Sequence, residues 1–244
     1  MRTERTLSWK WLQILGRVLA TALFDFKVYG RENIPARGGV LIVSNHQSYL
    51  DPILMALRLD RPLNYIAKSE LFENRYFGRF LRHVLNAFPV RQGAGDIGAI
   101  RETIRRLQEG HLLNMYPEGA RTWDGKIAPL QKGAAMVIRR AKVPVIPAVI
   151  VGAYEAWPIF RPIFRPWPVR IRFGPPMDLT NLDDEQIIAA IDQTLRSMFE
   201  SECAKARGQN HCARCSRGRL ASRVNHNGML RRAFSEAINS HQPL

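Results

Sequence analysis

The sequence is short of cysteine, and the few cysteines it has are unevenly placed. All three, Cys203, Cys212 and Cys215, lie near the C-terminal end of a 244-residue chain. Cysteines placed in this way cannot build a disulfide framework for the rest of the chain, and such usage is typical of a reducing compartment. The sequence therefore excludes the class of small secreted domains that depend on disulfides.

Acidic residues are scarce relative to basic ones. Lys and Arg number 36 against 21 Asp and Glu, which gives a formal net charge of +15 and a pI near 10.5. This excess predicts a polyanionic neighbour: nucleic acid, an anionic membrane surface or phosphorylated substrates. Residues 203–244 hold eight Lys and Arg but one acid, Glu236, so much of the excess lies in a tail. With 46% hydrophobic residues, the remainder is long enough for one substantial core.

The N-terminal stretch lacks a long uncharged run. Lys10, Arg17 and Asp25 interrupt it, whereas a membrane-spanning helix needs about 20 nearly uncharged residues. No small-residue cleavage site follows, so a signal peptide is not expected. Its apolar residues mostly recur at three- and four-residue spacing: Trp9, Trp11, Leu12, Leu15, Leu19, Ala22, Leu23 and Phe26. The pattern predicts an amphipathic helix over residues 1–26 in a membrane interface, with Lys10 and Arg17 toward anionic lipid. A helix packed on the core is the alternative.

Residues 27–202 alternate apolar runs with amphipathic segments. Strands are predicted at 27–29, 40–44, 63–67, 112–116, 145–149 and 169–173, and helices at 52–59, 76–85, 96–109, 132–141 and 183–200. This alternation predicts an α/β domain with a mixed, mostly parallel sheet flanked by helices. The proline-rich residues 157–168 are predicted to form an irregular surface loop or a membrane-facing lip. A basic tail containing cysteine and arginine would follow at 203–244.

A histidine and a carboxylate stand close together where the apolar run Val40–Val43 ends. The stretch is Asn45-His46-Gln47-Ser48-Tyr49-Leu50-Asp51, and the run predicts a buried strand that opens into a loop at His46. An imidazole titrates near neutrality, and a carboxylate on one ring nitrogen fixes its tautomer, so His46 and Asp51 have the parts for general base catalysis. The alternative is a loop histidine beside a helix cap.

Three further segments could carry chemistry. In Tyr116–Thr122, Gly119 lets the backbone approach a ligand, Arg121 can offer a two-pronged donor to phosphate, and Glu118 can anchor that guanidinium or a substrate hydroxyl. A turn with a surface ion pair is the alternative. The short extended run that ends at Arg91 is either a second basic site or an edge strand with a solvated arginine. The apolar residues 143–148, after Lys132 and Gly133, predict an acyl-binding wall or plain core.

In their order and distances, these segments resemble the glycerolipid acyltransferase family, which includes 1-acylglycerol-3-phosphate acyltransferase. The resemblance covers about residues 27–175. It rests on four blocks and two flanks: His46 to Asp51, Phe88-Pro89-Val90-Arg91, Tyr116-Pro117-Glu118-Gly119-Ala120-Arg121, Val145-Ile146-Pro147, Gly30 with Asn33-Ile34-Pro35, and Ala67-Lys68-Ser69-Glu70-Leu71. Any one block could arise by chance, but four in register make coincidence improbable.

The resemblance implies an acyltransferase domain at 27–202 that moves an acyl group from acyl-CoA or acyl-carrier protein to the free hydroxyl of a lysophospholipid, with phosphatidic acid the simplest product. His46 would be the base and Asp51 its orienting partner. The expected substrate-binding residues are Arg91, Glu118, Gly119 and Arg121, with Lys68 and Lys132 as weaker candidates. No metal or further cofactor is expected, and the enzyme would sit at the cytoplasmic face of a membrane as a peripheral or monotopic protein.

Ala120 departs from the family pattern, which usually has threonine there. A single hydrogen bond contributes about 0.5–1.5 kcal/mol, and up to about 3 kcal/mol if charged, so a changed acceptor preference is expected rather than lost activity. Thr122 could retain part of the hydroxyl's role. Ser44 and Ser48 are near enough to His46 for a Ser-His-Asp triad, but nucleophile-elbow glycines are missing and a thioester is already activated. Direct transfer is therefore predicted.

Two alternatives stay open at this stage. The acceptor could be another lyso-lipid or glycerol 3-phosphate, because a phosphate clamp does not define the rest of the molecule. The tail could instead form a basic nucleic-acid-binding module, with His211, Cys212, Cys215 and His226 suggesting a zinc knuckle. A second paired ligand set is missing, so neither zinc nor nucleic acid is expected, and a tail near acidic lipid headgroups is the simpler prediction.

Overall fold

The computed structural model describes residues 7–83, 86–90, 97–179 and 181–208. The strands are β1 Lys27–Tyr29, β2 Val40–Ser44, β3 Leu63–Lys68, β4 Ala87–Val90, β5 Leu112–Met115, β6 Val145–Val151 and β7 Arg170–Phe173. The helices are α1 Leu7–Phe24, α2 Asp51–Leu57, α3 Arg75–His83, α4 Ile97–Gln108, α5 Gly133–Ala141, α6 Ala153–Ala156 and α7 Asp184–Gly208. Arg31–Asn33 and Ser69–Phe72 form single 3₁₀ turns.

The seven strands form one mixed sheet in the order β1-β7-β6-β2-β5-β3-β4. Strands β6, β2, β5, β3 and β4 are parallel to one another, whereas β7 is antiparallel to β6 and β1 is parallel to β7. The predicted α/β fold with a mostly parallel sheet is therefore confirmed. All predicted strands and helices are present within a few residues, except that α7 continues eight residues beyond the predicted end at 200. The short run before Arg91 is β4, an edge strand.

Helices cover both faces of the sheet. Successive residues of a strand point to opposite sides, so an apolar strand presents apolar side chains to both helix layers. In β2, Val40 and Ile42 join one buried apolar cluster, and Leu41 and Val43 join the other. The first cluster takes buried residues from α1, α2 and α3, and the second takes them from α4, α5 and α7. A strand that is apolar on both faces is typical of a parallel sheet between helix layers.

Helix α1 both packs on the core and exposes an apolar face. Ala20 and Phe24 are buried, and the buried amide of Gln13 donates to the carbonyl oxygens of Ala56 and Leu59. Arg17 was predicted to face lipid, but its guanidinium donates to the carbonyl oxygen of Leu57 in α2. The sequence did not predict this contact with α2, and the position of Arg17 relative to lipid stays a prediction. Over residues 11–24 of α1, the part whose side chains the structure describes, the large apolar residues that are exposed are Trp11, Leu12, Ile14, Leu15, Val18, Leu19 and Leu23.

The chain divides into two compact units, Met1–Glu202 and Cys203–Leu244. Of the second unit, the structure describes residues 203–208, the last residues of α7. The predictions for Cys212, Cys215 and the arginines from Arg214 onward lie outside the described residues. Within the described ranges, no helix combines the length and the apolar character that crossing a membrane requires.

Candidate active site

The site lies where β2 and β5 end side by side. Val43 pairs with Met115 in parallel register, so His46 and Glu118 each lie three residues beyond a paired position. Carboxyl ends of parallel strands meet at one edge of a sheet, which is where open α/β sheets bind ligands. The buried side-chain amide of Asn45 fixes the first loop, because it accepts from Ile150 N at 2.7 Å and donates to Ile150 O at 3.0 Å.

His46 and Asp51 form a hydrogen-bonded pair. His46 Nδ1 lies 2.7 Å from Asp51 Oδ2, and the same oxygen accepts from the backbone N–H of Gln47 at 2.6 Å and of Ser48 at 2.8 Å. The Asp51 side chain is fully buried, whereas 18% of the His46 side chain is exposed. Because the carboxylate holds Nδ1, the proton sits on Nδ1 and Nε2 is left as the basic nitrogen. Among the described residues, no side chain hydrogen-bonds to Nε2.

Glu118 holds the backbone around His46. Its Oε1 accepts from His46 N at 2.7 Å, and its Oε2 accepts from Ala128 N at 2.7 Å. Burial raises the pKa of this carboxyl to about 7, although the two backbone donors act in the opposite direction. Thr122 N donates to His46 O at 2.9 Å, so both backbone groups of His46 are bound by the loop after β5. Glu118 is therefore a bridge between loops in this structure.

The ring of Tyr116 lies against the imidazole of His46. The ring centroids are 3.9 Å apart and the planes differ by 14°. The Tyr116 hydroxyl is buried and has no hydrogen-bond partner among the described residues, and the same is true of Asp51 Oδ1. Burial, and secondly the charge of Asp51, raises the pKa of Tyr116 well above its usual value. The imidazole is thus held in its plane by Asp51 and on one face by an uncharged ring.

One interpretation of the sequence predicted an ion pair between Arg121 and Glu118. The structure does not show this pair. Arg121 Cζ lies 3.5 Å from the ring centroid of Tyr49, and the buried Nη1 of Arg121 has no hydrogen-bond partner among the described residues. Tyr49 is itself packed against Trp157, with ring centroids 5.2 Å apart. A guanidinium stacked on an aromatic face keeps its N–H edge available for a planar anion. Arg121 is thereby placed beside the His46 loop.

The serines near His46 have other partners. Ser44 Oγ donates to Asn114 Oδ1 at 3.1 Å, and Ser48 Oγ donates to Trp157 O at 2.7 Å. Within the described part of the chain they do not complete a Ser-His-Asp triad. The Thr122 hydroxyl lies 3.0 Å from Asp124 Oδ1 and accepts from Gly125 N, so it braces its own turn. Ala120, where the family usually has threonine, is exposed.

Three further predicted site residues, Gly119, Lys68 and Lys132, lie around the same sheet edge. Gly119 has φ +74°, a conformation that favours glycine. Lys68 is exposed at the end of β3, where it pairs in register with Val90. Lys132 is exposed at the start of α5, next to Gln131, whose N–H donates to Pro117 O at 2.7 Å. Arg91 lies outside the described residues. No contact joins either lysine to His46 among the described residues.

The block Val145-Ile146-Pro147 lies within β6, between β2 and β7. All seven residues of this strand are buried, so it is part of the sheet's core. The loop at 157–168 has no regular secondary structure, as predicted, and Trp157 brings it to Tyr49. In the described part of the chain, no three His, Cys, Asp or Glu side chains could together hold a metal ion.

Sequence reasoning missed the contributions of Asn45, Tyr49 and Tyr116. Asn45 could have been found as a polar residue directly after a fully apolar strand, since a buried amide requires partners. The contacts of Tyr49 and Tyr116 could not, because each depends on packing between loops that lie far apart in the sequence.

Comparisons with known proteins agree with this geometry. A model of the acyltransferase family matches residues 25–151. A 1-acyl-sn-glycerol-3-phosphate acyltransferase of Bacillus subtilis is 31% identical over 188 residues, which cover 75% of this chain and 91% of the relative. An enzyme of the same name from Chlamydomonas reinhardtii is 33% identical over 159 residues, 63% of this chain and 47% of the relative. The crystal structure of a 1-acyl-sn-glycerophosphate acyltransferase from Thermotoga maritima has a TM-score of 0.67 and 29% identity, and 79% of each chain is covered.

The fold, the His46–Asp51 pair and these matches define an acyltransferase, and the chain belongs to that enzyme family. Within the family, it is of the 1-acyl-sn-glycerol-3-phosphate acyltransferase type.

Proposed function

We propose that the enzyme transfers a fatty acyl group from acyl-CoA or acyl-carrier protein to the free hydroxyl of 1-acyl-sn-glycerol 3-phosphate. The product would be phosphatidic acid, an intermediate of phospholipid biosynthesis. The observation that carries the proposal is the His46–Asp51 pair, with Nδ1 held at 2.7 Å and Nε2 left without a protein partner among the described residues. The names of the relatives from Bacillus subtilis and Thermotoga maritima support this choice of acceptor.

In the proposed step, Nε2 of His46 takes the proton of the acceptor hydroxyl while the hydroxyl oxygen attacks the thioester carbonyl carbon. A carbon–oxygen bond forms, and the carbon–sulfur bond breaks as the tetrahedral intermediate collapses. The proton held by His46 then passes to the leaving thiolate, so the histidine ends as it began. Asp51 stabilises the imidazolium and fixes the Nδ1–H tautomer. Ser44 and Ser48 are engaged elsewhere, which supports direct transfer without an acyl-enzyme.

The acceptor phosphate would bind to arginine at the edge of the sheet. Arg121 is the described candidate, because Tyr49 stacks on its guanidinium and its Nη1 has no hydrogen-bond partner among the described residues. Arg91 would join it from the segment after β4, with Lys68 and Lys132 adding positive charge around a dianion. Gly119 has no side chain, so a bound ligand could approach the backbone closely at this position. Glu118 is assigned to holding the His46 loop, since both its oxygens accept backbone hydrogen bonds.

The site of action would be the cytoplasmic face of a membrane, where the lipid acceptor resides. The exposed apolar face of α1, with Trp11, Leu15, Val18 and Leu19 all at least half exposed, supports a peripheral or monotopic attachment.

A panel of acceptors tests the proposal. Purified full-length protein is supplied with acyl-CoA or acyl-carrier protein and one lyso-lipid at a time: lysophosphatidate, lysophosphatidylcholine, lysophosphatidylethanolamine, or glycerol 3-phosphate as a non-lipid comparison. We expect lysophosphatidate to give the highest kcat/KM. Preference for a phosphodiester acceptor would establish the alternative of another lysophospholipid, and failure with every phosphate-bearing acceptor would exclude the Arg121 site.

A further inference from the structure

Helix α3 is exposed over almost its whole surface. Gly78 and Leu81 are its only buried residues among positions 75–82. Three aromatic side chains face outward instead: Tyr76 is 83% exposed, Phe77 45% and Phe80 41%. The rings of Phe77 and Phe80 stack on each other with centroids 6.2 Å apart, so they form a continuous apolar surface. A helix that keeps its aromatic residues away from the protein core has an unsatisfied apolar face.

Backbone packing holds α3 in this orientation. A Cβ at Gly78 would lie 2.8 Å from Phe72 O, so the helix rests directly on the preceding turn. The side-chain oxygen of Asn74 accepts from the N–H groups of Tyr76 and Phe77, which caps the helix start. Leu81 packs into the core. These contacts fix the opposite side of the helix, and the aromatic side chains are therefore presented outward by a rigid element.

The charge on α3 is positive. Arg75, Arg79 and Arg82 are all exposed, and the helix contains no acid. The neighbouring acids, Glu70 and Glu73, precede it in the sequence. The Arg82 guanidinium lies 5.1 Å from the centroid of the Phe72 ring, in the turn before the helix. Basic groups beside exposed aromatic rings are characteristic of helices that lie in the interface of anionic membranes.

The start of α3 lies at the sheet edge that carries the active site. The helix follows β3, whose carboxyl end lies at the same sheet edge as those of β2 and β5. Trp123, in the loop after β5, is 70% exposed at this edge. Ile163, in the loop that leads into β7, is 73% exposed, and β7 begins at the same edge because it is antiparallel to β6. Exposed apolar side chains therefore lie at the sheet edge that carries His46.

We propose that α3 is a membrane-contact element that inserts Tyr76, Phe77 and Phe80 into the interface of a bilayer containing anionic phospholipid, while its three arginines bind headgroup phosphates. This contact is separate from α1 and would turn the sheet edge with His46 toward the bilayer surface. The proposal concerns lipid binding and does not require that the acceptor be lysophosphatidate.

A local reporter separates α3 from α1. Cys203→Ala, Cys212→Ser and Cys215→Ser give a background in which Tyr76→Cys is labelled with the environment-sensitive fluorophore NBD. Gln108→Cys is the control, because it is exposed at the end of α4, which leads into β5 from the opposite sheet edge. Vesicles of phosphatidylcholine with phosphatidic acid should shift the emission of NBD at position 76 to the blue and leave position 108 unchanged. Equal emission with and without vesicles at position 76 would overturn the proposal.

Charge variants test the choice of lipid. Arg75→Gln, Arg79→Gln and Arg82→Gln together should weaken binding to anionic vesicles by tenfold or more, since each basic residue near such a surface contributes on the order of a fivefold gain. The matched control is Arg139→Gln, Arg140→Gln and Lys142→Gln, three exposed charges near the end of α5. Equal binding by both triple variants would contradict the proposal.

A response of the NBD label at position 76 to an acidic carrier protein but not to vesicles would replace the proposal with a protein-docking surface. Both readouts measure binding without acyl transfer, so they stand even if no acceptor is acylated.

Discussion

Glu118 and His46 are joined through the histidine's backbone and not through its ring: Glu118 Oε1 accepts from His46 N at 2.7 Å, and Oε2 accepts from Ala128 N at 2.7 Å. One buried carboxylate therefore ties the His46 loop to the loop that carries Arg121. The sequence alone suggested a substrate-binding role for Glu118. The geometry instead favours a positioning role, and the two roles predict different kinetics.

Glu118→Gln should lower kcat and leave the KM for the acceptor nearly unchanged. An amide can accept at one oxygen only, so either His46 N or Ala128 N loses its partner, and a lost charge-assisted hydrogen bond costs about 1.5–3 kcal/mol. We expect kcat to fall roughly tenfold to a hundredfold. Glu185→Gln, an exposed position in α7, is the control. A raised acceptor KM at unchanged kcat would show that Glu118 binds substrate.

The raised pKa of Glu118 makes stability depend on pH in a defined direction. Its pKa is about 7 in the folded protein against 4.5 ordinarily, so the folded state binds the additional proton between these values. Because the folded state binds this proton more tightly than the unfolded state, protonation of Glu118 stabilises the fold. This stabilisation is fully present below pH 4.5 and is lost as the pH rises through 7. Urea unfolding gives the free energy of unfolding of wild type minus that of Glu118→Gln. This difference should fall by about 3 kcal/mol from pH 4.5 to pH 8. A constant difference would contradict the raised pKa.

Replacements at Tyr116 should separate its ring from its hydroxyl. Tyr116→Phe keeps the ring stacked on His46 and removes a buried hydroxyl without a partner among the described residues, so it should retain activity and raise the unfolding free energy by about 1 kcal/mol. Tyr116→Leu removes the stack and should lower kcat about twofold to tenfold, since such ring pairs contribute about 0.5–1.5 kcal/mol. Rates and urea midpoints measured together check both. Inactivity of a stably folded Tyr116→Phe would show that the hydroxyl takes part in the reaction.

Arg121→Ala should act on the acceptor and spare the donor. Hydrogen bonds to a charged group contribute about 1.5–3 kcal/mol, so the KM for lysophosphatidate should rise roughly tenfold to a hundredfold while that for the thioester changes little. Arg101→Ala, an exposed arginine of α4, is the control. An equal rise in both KM values would mean that Arg121 maintains the loop rather than binding phosphate.

The sequence predicted the sheet and the location of His46 well, because apolar runs such as Val40–Val43 report burial directly and a loop must follow them. It predicted less about which groups within the protein contact the site residues. Glu118 has two backbone donors contributed by segments distant in sequence, and Arg121 has the ring of Tyr49, neither of which leaves a local pattern. Arg17 shows the same limit in α1, where periodicity identified an apolar helix but could not reveal that Leu57 would accept from its guanidinium.

The most direct test of the account is the rate of acyl transfer by His46→Ala in vesicles that contain lysophosphatidate and acyl-CoA. Loss of the base should lower kcat by a factor of about 10² to 10⁴ while circular dichroism and vesicle binding stay as in wild type. Asp51→Asn should also lower kcat, because a neutral amide does not stabilise the imidazolium that His46 becomes when it takes the proton. Wild-type transfer by a folded His46→Ala protein would contradict the assignment of His46 as the base.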